Sequence, residues 1–313
     1  MAHELSIIED TVEMFFVKDL PWHGLGQCVE DAPDSHQAIQ AAHLGWKVRK
    51  YPMWWGSKPT EESLVESDHY TTVREDTMDA LGTVGPDYAI LQNEDAFGFM
   101  DELLGEGVKY ETAGALSQGK RVWLLARLPE MMNVTEEDKV GKYLCLFNSH
   151  DGSSSIRVFF TPVRVVCSNT LTVAMSKAEY KVNIRHIGDI KKRVEMAQMV
   201  LGTSIKKFDK LEGVYKRMVG VKLTNAEAVQ GFSAIYPGKT KRTENIVKTL
   251  MELYRRCLVV GTLWSWFNAV TAYADHMRKS KAESRMNSAF WGNGLDLKTK
   301  AYNMALKKMG GGE

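Results

Sequence analysis

The pair Asp151-Gly152 constrains this chain more than any other feature. It stands between two apolar runs, Tyr143-Leu144-Cys145-Leu146-Phe147-Asn148 and Ser155-Ile156-Arg157-Val158-Phe159-Phe160. Glycine takes the positive φ of a tight reversal at no steric cost, so Asp-Gly between two strand-like runs marks an antiparallel hairpin. Gly119-Lys120-Arg121 turns the chain into another run, Val122 to Leu128, which follows a strand-like Lys109 to Leu116. The polar, acidic stretch 133–141 reads as a loop. Beyond Pro162, the stretch Val163 to Met175 is expected to form a helix packed on the sheet, with the proline near its start. Its many β-branched residues weigh against that helix. The fold class expected is therefore α+β: an antiparallel sheet with a β-β-β-α core.

The flanks extend this frame. Strands are expected at 46–51, 70–74 and 80–84, with an acidic loop over 55–68. Short helices are expected over 37–42, behind a Ser35 cap, and from Asn93 to about Leu104. A last strand covers 180–185. Amphipathic helical patterns then follow at 189–219, 224–235, 243–258, 263–278 and 298–308. The expected organisation is an α+β sheet domain over 1–187, a helical basic region over 188–309 and a disordered tail at 310–313.

Formal charge is +1, but it is unevenly spread. Residues 1–150 hold 12 Lys and Arg against 26 Asp and Glu, and residues 151–313 hold 28 against 13. Such a split points to a polyanionic partner, unless the acidic half simply neutralises the basic half.

Other classes find less support. No run of about 18 apolar residues is present, so no membrane partner is expected. Met1-Ala2-His3-Glu4 lacks the basic start and apolar core of a secretory signal, and a cytoplasmic location is expected. Cys28, Cys145, Cys167 and Cys257 are widely spaced and read as buried, reduced thiols. Cys167 with His150 or His186 is the one set resembling a nucleophile and base, and sequence does not bring it together. His186 and Asp189 are three apart, but Asp189 reads more simply as a helix N-terminal residue. No Walker lysine motif is present. No catalytic residue, metal or cofactor is expected.

Three stretches carry a family resemblance: Asn148-Ser149-His150-Asp151-Gly152-Ser153 with Phe160 to Leu171, Pro21-Trp22-His23-Gly24-Leu25-Gly26, and Leu263-Trp264-Ser265-Trp266-Phe267-Asn268-Ala269-Val270-Thr271. They resemble the phage/plasmid-like proteins catalogued as domain of unknown function 932. The resemblance implies a mobile-element origin and supplies no chemistry. The expected β-β-β-α order is also similar to the core of single-strand annealing proteins, an analogy of fold alone.

Nucleic-acid binding needs several cations on one surface. The candidates are Lys120 and Arg121 in a hairpin turn, Arg157 and Arg164 about the strand-helix junction, and Lys191, Lys192 and Arg193 at the start of the long helix. Unpaired bases would stack on aromatic rings, for which Trp123, Phe159 and Phe160 are candidates, with core packing as their simpler role. Trp264, Trp266 and Phe267 read as core or interface. The function expected is a homo-oligomeric single-stranded DNA-binding protein, with ATP-independent strand annealing as its extension. The alternative is an interaction protein that inhibits a host defence through its acidic N-terminal half, with a host protein as partner.

Overall fold

Period-two alternation and tight turns build most of the N-terminal two thirds. The computed structural model describes residues 5–18, 25–56, 64–105, 108–164, 169–170, 181–190, 192, 208–278 and 293–310. The first elements are β1 (Ile7–Ile8), β2 (Thr11–Val12), β3 (Met14–Val17), β4 (Gln27–Val29) and α1 (Ser35–Ala41). A three-stranded antiparallel sheet follows, formed by β5 (Val48–Trp55), β6 (Val65–Arg74) and β7 (Ala80–Val84). Then come α2 (Asn93–Leu104), β8 (Lys109–Leu116), β9 (Arg121–Asn133), β10 (Lys139–Ser149), β11 (Ile156–Arg164), β12 (Asn169–Thr170) and β13 (Lys181–Ile184). In the central sheet the order is β12-β11-β10-β9-β8-β3-β4, with β13 also paired to β11. Its pairs are antiparallel except β3 with β4.

Successive side chains along a strand face opposite sides, so each sheet face collects one apolar set. Val122, Leu124, Ala126, Leu144, Leu146, Ile156, Val158 and Phe160 join the main core. Trp123, Cys145, Phe147 and Phe159 join a second cluster on the other face, with Leu5, Met14, Phe16 and Leu116. The main core continues into the C-terminal helices α3 (Phe208–Gly220), α4 (Asn225–Ile235), α5 (Lys241–Arg256), α6 (Leu263–Ala272) and α7 (Asn293–Lys308). Every residue of α6 from Leu263 to Thr271 is buried, and Trp264 Nε1 donates to the buried carboxylate of Asp138 at 2.8 Å. The aromatic run around Trp264 is thus core.

Thr224, Thr240 and Thr262 cap α4, α5 and α6, each accepting from the backbone N–H three residues on. A π-helical turn, Tyr273–Met277, continues α6. There Asp275 receives the ammonium of Lys298 from α7 at 2.9 Å, with both side chains buried.

The α+β class, the antiparallel sheet and the helical C-terminus are as expected, and several local expectations are corrected. Val163 and Arg164 extend β11 and Asn169–Thr170 forms β12, so the described part of 163–175 is strand. Its β-branched residues suit a pleated sheet better than a helix. Pro162 is tolerated because β13 pairs with 156–159 and β12 with 163–164, leaving it between the two on that side. Residues 65–68 belong to β6, although they read as a loop. The loop expected over 133–141 shrinks, since β9 runs to Asn133 and β10 starts at Lys139. Asp34 caps α1, where Ser35 was expected. Cys145 is buried as expected, whereas Cys28 is exposed and Cys257 intermediate. Cys167 and residues 311–313 lie outside the described residues. No described helix is long and apolar enough to cross a membrane.

Candidate functional site

Two of the nominated cations come together at one end of the central sheet. Register pairs Arg121 of β9 with Ser149 of β10, and Arg157 of β11 with Phe147 of β10. Phe147 also pairs with Trp123, so Arg121, Trp123, Phe147, Ser149 and Arg157 share the face of the second cluster. Burial and the positive charge of Arg121 both lower the affinity of Arg157 for its proton. The two guanidiniums are therefore within electrostatic reach of each other. Asp151, just past the end of β10, completes the group. Burial opposes its charge, but hydrogen bonds from Ser149 (2.5 Å) and Ser153 (2.9 Å) and the charge of Arg121 hold its carboxyl below the usual range.

The other candidates spread out. Lys120 lies half-buried in the turn beside Arg121, and its carbonyl accepts from the His150 N–H at 2.8 Å. Arg164 stands seven residues along β11 from Arg157, about 23 Å at the usual strand rise. Lys192 is exposed beyond β13, and its N–H donates to the Asp189 carboxylate at 3.3 Å, which gives Asp189 the helix N-terminal role expected of it. Lys191 and Arg193 lie outside the described residues. Trp123, Phe159 and Phe160 are buried, so they pack rather than offer a stacking surface.

Directly beneath the arginine pair is a buried polar node that sequence reasoning did not assemble. His150 has no solvent exposure, and its Nε2 lies 3.0 Å from Asn93 Oδ1 at the start of α2. Asn148 Nδ2 donates to Leu91 O at 2.9 Å, and His186 Nδ1 lies 3.0 Å from Ala89 O. The Tyr88 ring stacks on His186 with centroids 4.6 Å apart, and its hydroxyl donates to Ser149 O at 2.6 Å. The segment 88–93 thus ties the tip of β10 to the chain beyond β13. Burial first, and the nearby His186 second, push the His150 pKa down to about 3. Burial likewise lowers that of His186.

A second charged group adjoins the node. Arg74 of β6 makes a paired contact with Glu13 (2.5 and 2.8 Å), binds Asp76, and lies over the Trp46 ring, which meets His150 edge-on. Burial disfavours the Arg74 charge, but the hydrogen bonds to Asp76 and Glu13 outweigh it and raise its pKa. The small sheet locks onto the same place. A Cβ on Gly82 of β7 would collide with the Asp151 backbone, and Gly152 (φ +74°) lies against Val84. Only a residue without a side chain permits that approach at 82. The one signal in the sequence was the polar run 148–153 between apolar strands; its partners at 88–93 are remote in the chain.

This arrangement offers cations on a surface and neutral, desolvated imidazoles beneath. Among the described residues, no three His, Cys, Asp or Glu are placed to hold a metal ion. No curated protein and no solved structure matches the chain. The family model described as Domain of unknown function (DUF932) matches residues 80–291, a span that takes in 148–171 and 263–271 and leaves 21–26 outside. Because that match covers more than half of the 313 residues, the chain belongs to the DUF932 family.

Proposed function

We propose that this protein, of phage or plasmid type, binds single-stranded DNA and that Arg121 and Arg157 contact its phosphates. The observation that supports the reading is the placement of these two arginines on one sheet face, where the charge of Arg121 adds to the cost of the Arg157 charge. A polyanion relieves that repulsion, and phosphate contacts from arginine are strong and bidentate. The charge excess beyond residue 150 acts in the same direction by drawing a polyphosphate chain to the surface. Binding through the backbone leaves base edges free, which is the condition for annealing complementary strands without ATP. Assembly of several copies would extend the contact along a strand.

The test is fluorescence anisotropy with a labelled single-stranded oligonucleotide over a salt series, with a duplex of equal length as comparison. The wild-type protein binds the single strand more tightly, and affinity falls steeply with salt. The double variant R121A/R157A loses two phosphate contacts, so the slope of log K against log salt becomes shallower by about 1.4. Binding that is absent at low salt, insensitive to salt, or stronger for duplex overturns the reading.

A further inference from the structure

Hydrogen bonding fixes both histidines of the node in single tautomers. Asn93 Nδ2 donates to Leu44 O at 3.0 Å, so Asn93 Oδ1 accepts; His150 Nε2 is 3.0 Å from that oxygen and 3.4 Å from Asn148 Nδ2, and the shorter contact assigns it the proton. His150 Nδ1 is then a bare lone pair, buried and without a hydrogen-bond partner. Ala89 O can only accept, so His186 Nδ1 is protonated and its Nε2 is a second buried lone pair without a partner. Asn148 Nδ2 is used on Leu91 O, which leaves Asn148 Oδ1 as a third buried acceptor without a partner. The three groups hang from alternate residues, 89, 91 and 93, of one short segment. They therefore belong to one neighbourhood, to which the Trp46 ring, edge-on to His150, adds Nε1 as a buried donor without a partner.

Leaving a buried acceptor unsatisfied costs about 1–3 kcal/mol, so three together call for an occupant that donates. A zinc-class ion takes three or four protein ligands, and no three ligating His, Cys, Asp or Glu residues meet among the described residues. Water is neutral, donates two hydrogen bonds and takes two to four polar partners in protein interiors. We propose an internal water site bounded by His150 Nδ1, His186 Nε2 and Asn148 Oδ1. One water donates to both imidazoles, and a second, linked to the first, donates to Asn148 Oδ1. Hydrogen bonds then run continuously from β10 through the water to the chain beyond β13. That network braces the strand ends from which Arg121 and Arg157 project.

The experiment is a crystal structure of the full chain at a resolution that shows ordered water, with ¹⁵N imidazole shifts recorded in solution. Expected is full density about 2.7–3.2 Å from both bare nitrogens. The shifts should show both atoms unprotonated but hydrogen-bonded. The variant His186→Phe keeps a ring against Tyr88 and removes one acceptor; it should lose the water between the rings and move the His150 Nδ1 resonance. A dry site, either nitrogen bonded directly to a protein donor, or stoichiometric metal by elemental analysis overturns the proposal. The wild-type spectra decide the matter even where the variant does not fold.

Discussion

Acidification to pH 5 should destabilise this protein through His150. In the folded chain its pKa falls from the ordinary 6.5 to about 3, because burial and the neighbouring His186 oppose the imidazolium. The unfolded chain therefore takes up this proton at higher pH than the native one. The stabilisation is present above about pH 6.5 and drains away as pH falls towards 3. Between pH 7.5 and 5 the linkage integral for these two values is roughly 2 kcal/mol, with a limiting slope of about 1.4 kcal/mol per pH unit. His186 is also depressed by burial and adds in the same direction. Asp76 and Asp151 have lowered pKa values too, but carboxylates near 3.8 titrate mostly below this window. Urea unfolding at half-unit steps from pH 7.5 to 5 measures the slope. His150→Gln keeps an N–H towards Asn93 and removes the titration, so its stability should vary with pH by about one proton less near pH 5. A wild-type protein equally stable at pH 5 and 7.5, or a variant with an unchanged slope, refutes the reasoning.

Further outcomes follow from burial elsewhere. Lys298→Met leaves the Asp275 carboxylate buried without its ammonium, and should cost about 3–5 kcal/mol in urea unfolding, most of it recovered in the double variant with Asp275→Leu. Trp264→Phe removes the donor to Asp138 and should lower stability by about 2 kcal/mol with little change in near-ultraviolet signal from the other tryptophans. Gly82→Ala drives a methyl into the Asp151 backbone and should cost about 1–3 kcal/mol, while Gly85→Ala, which meets nothing within 4 Å, should be near neutral in thermal unfolding.

Local chemistry alone determined much of this protein. Alternation marked the strands over 109–160, the Asp151-Gly152 pair marked the reversal between β10 and β11, and helical periodicity over 224–235 marked α4. Residues 163–164 and 169–170 were misread because β-branched residues beside a proline fit a helix start or a strand end equally well until a neighbouring strand is known. The polar run 148–153 was visible as a feature, but its role was not. Its partners lie 57 residues away at Leu91 and Asn93, and His186 reaches back 97 residues to Ala89. Only the packing of β7, α2 and β13 around one strand end brings them together. Of seven cations nominated for binding, tertiary structure set Arg121 and Arg157 on one face at the same end of the sheet and sent Arg164 to the far end of its strand. Period and turn chemistry act between near neighbours, so a sequence displays them. Hydrogen-bond partners and charge clusters depend on which distant segments share a surface, and that is decided only when the core closes.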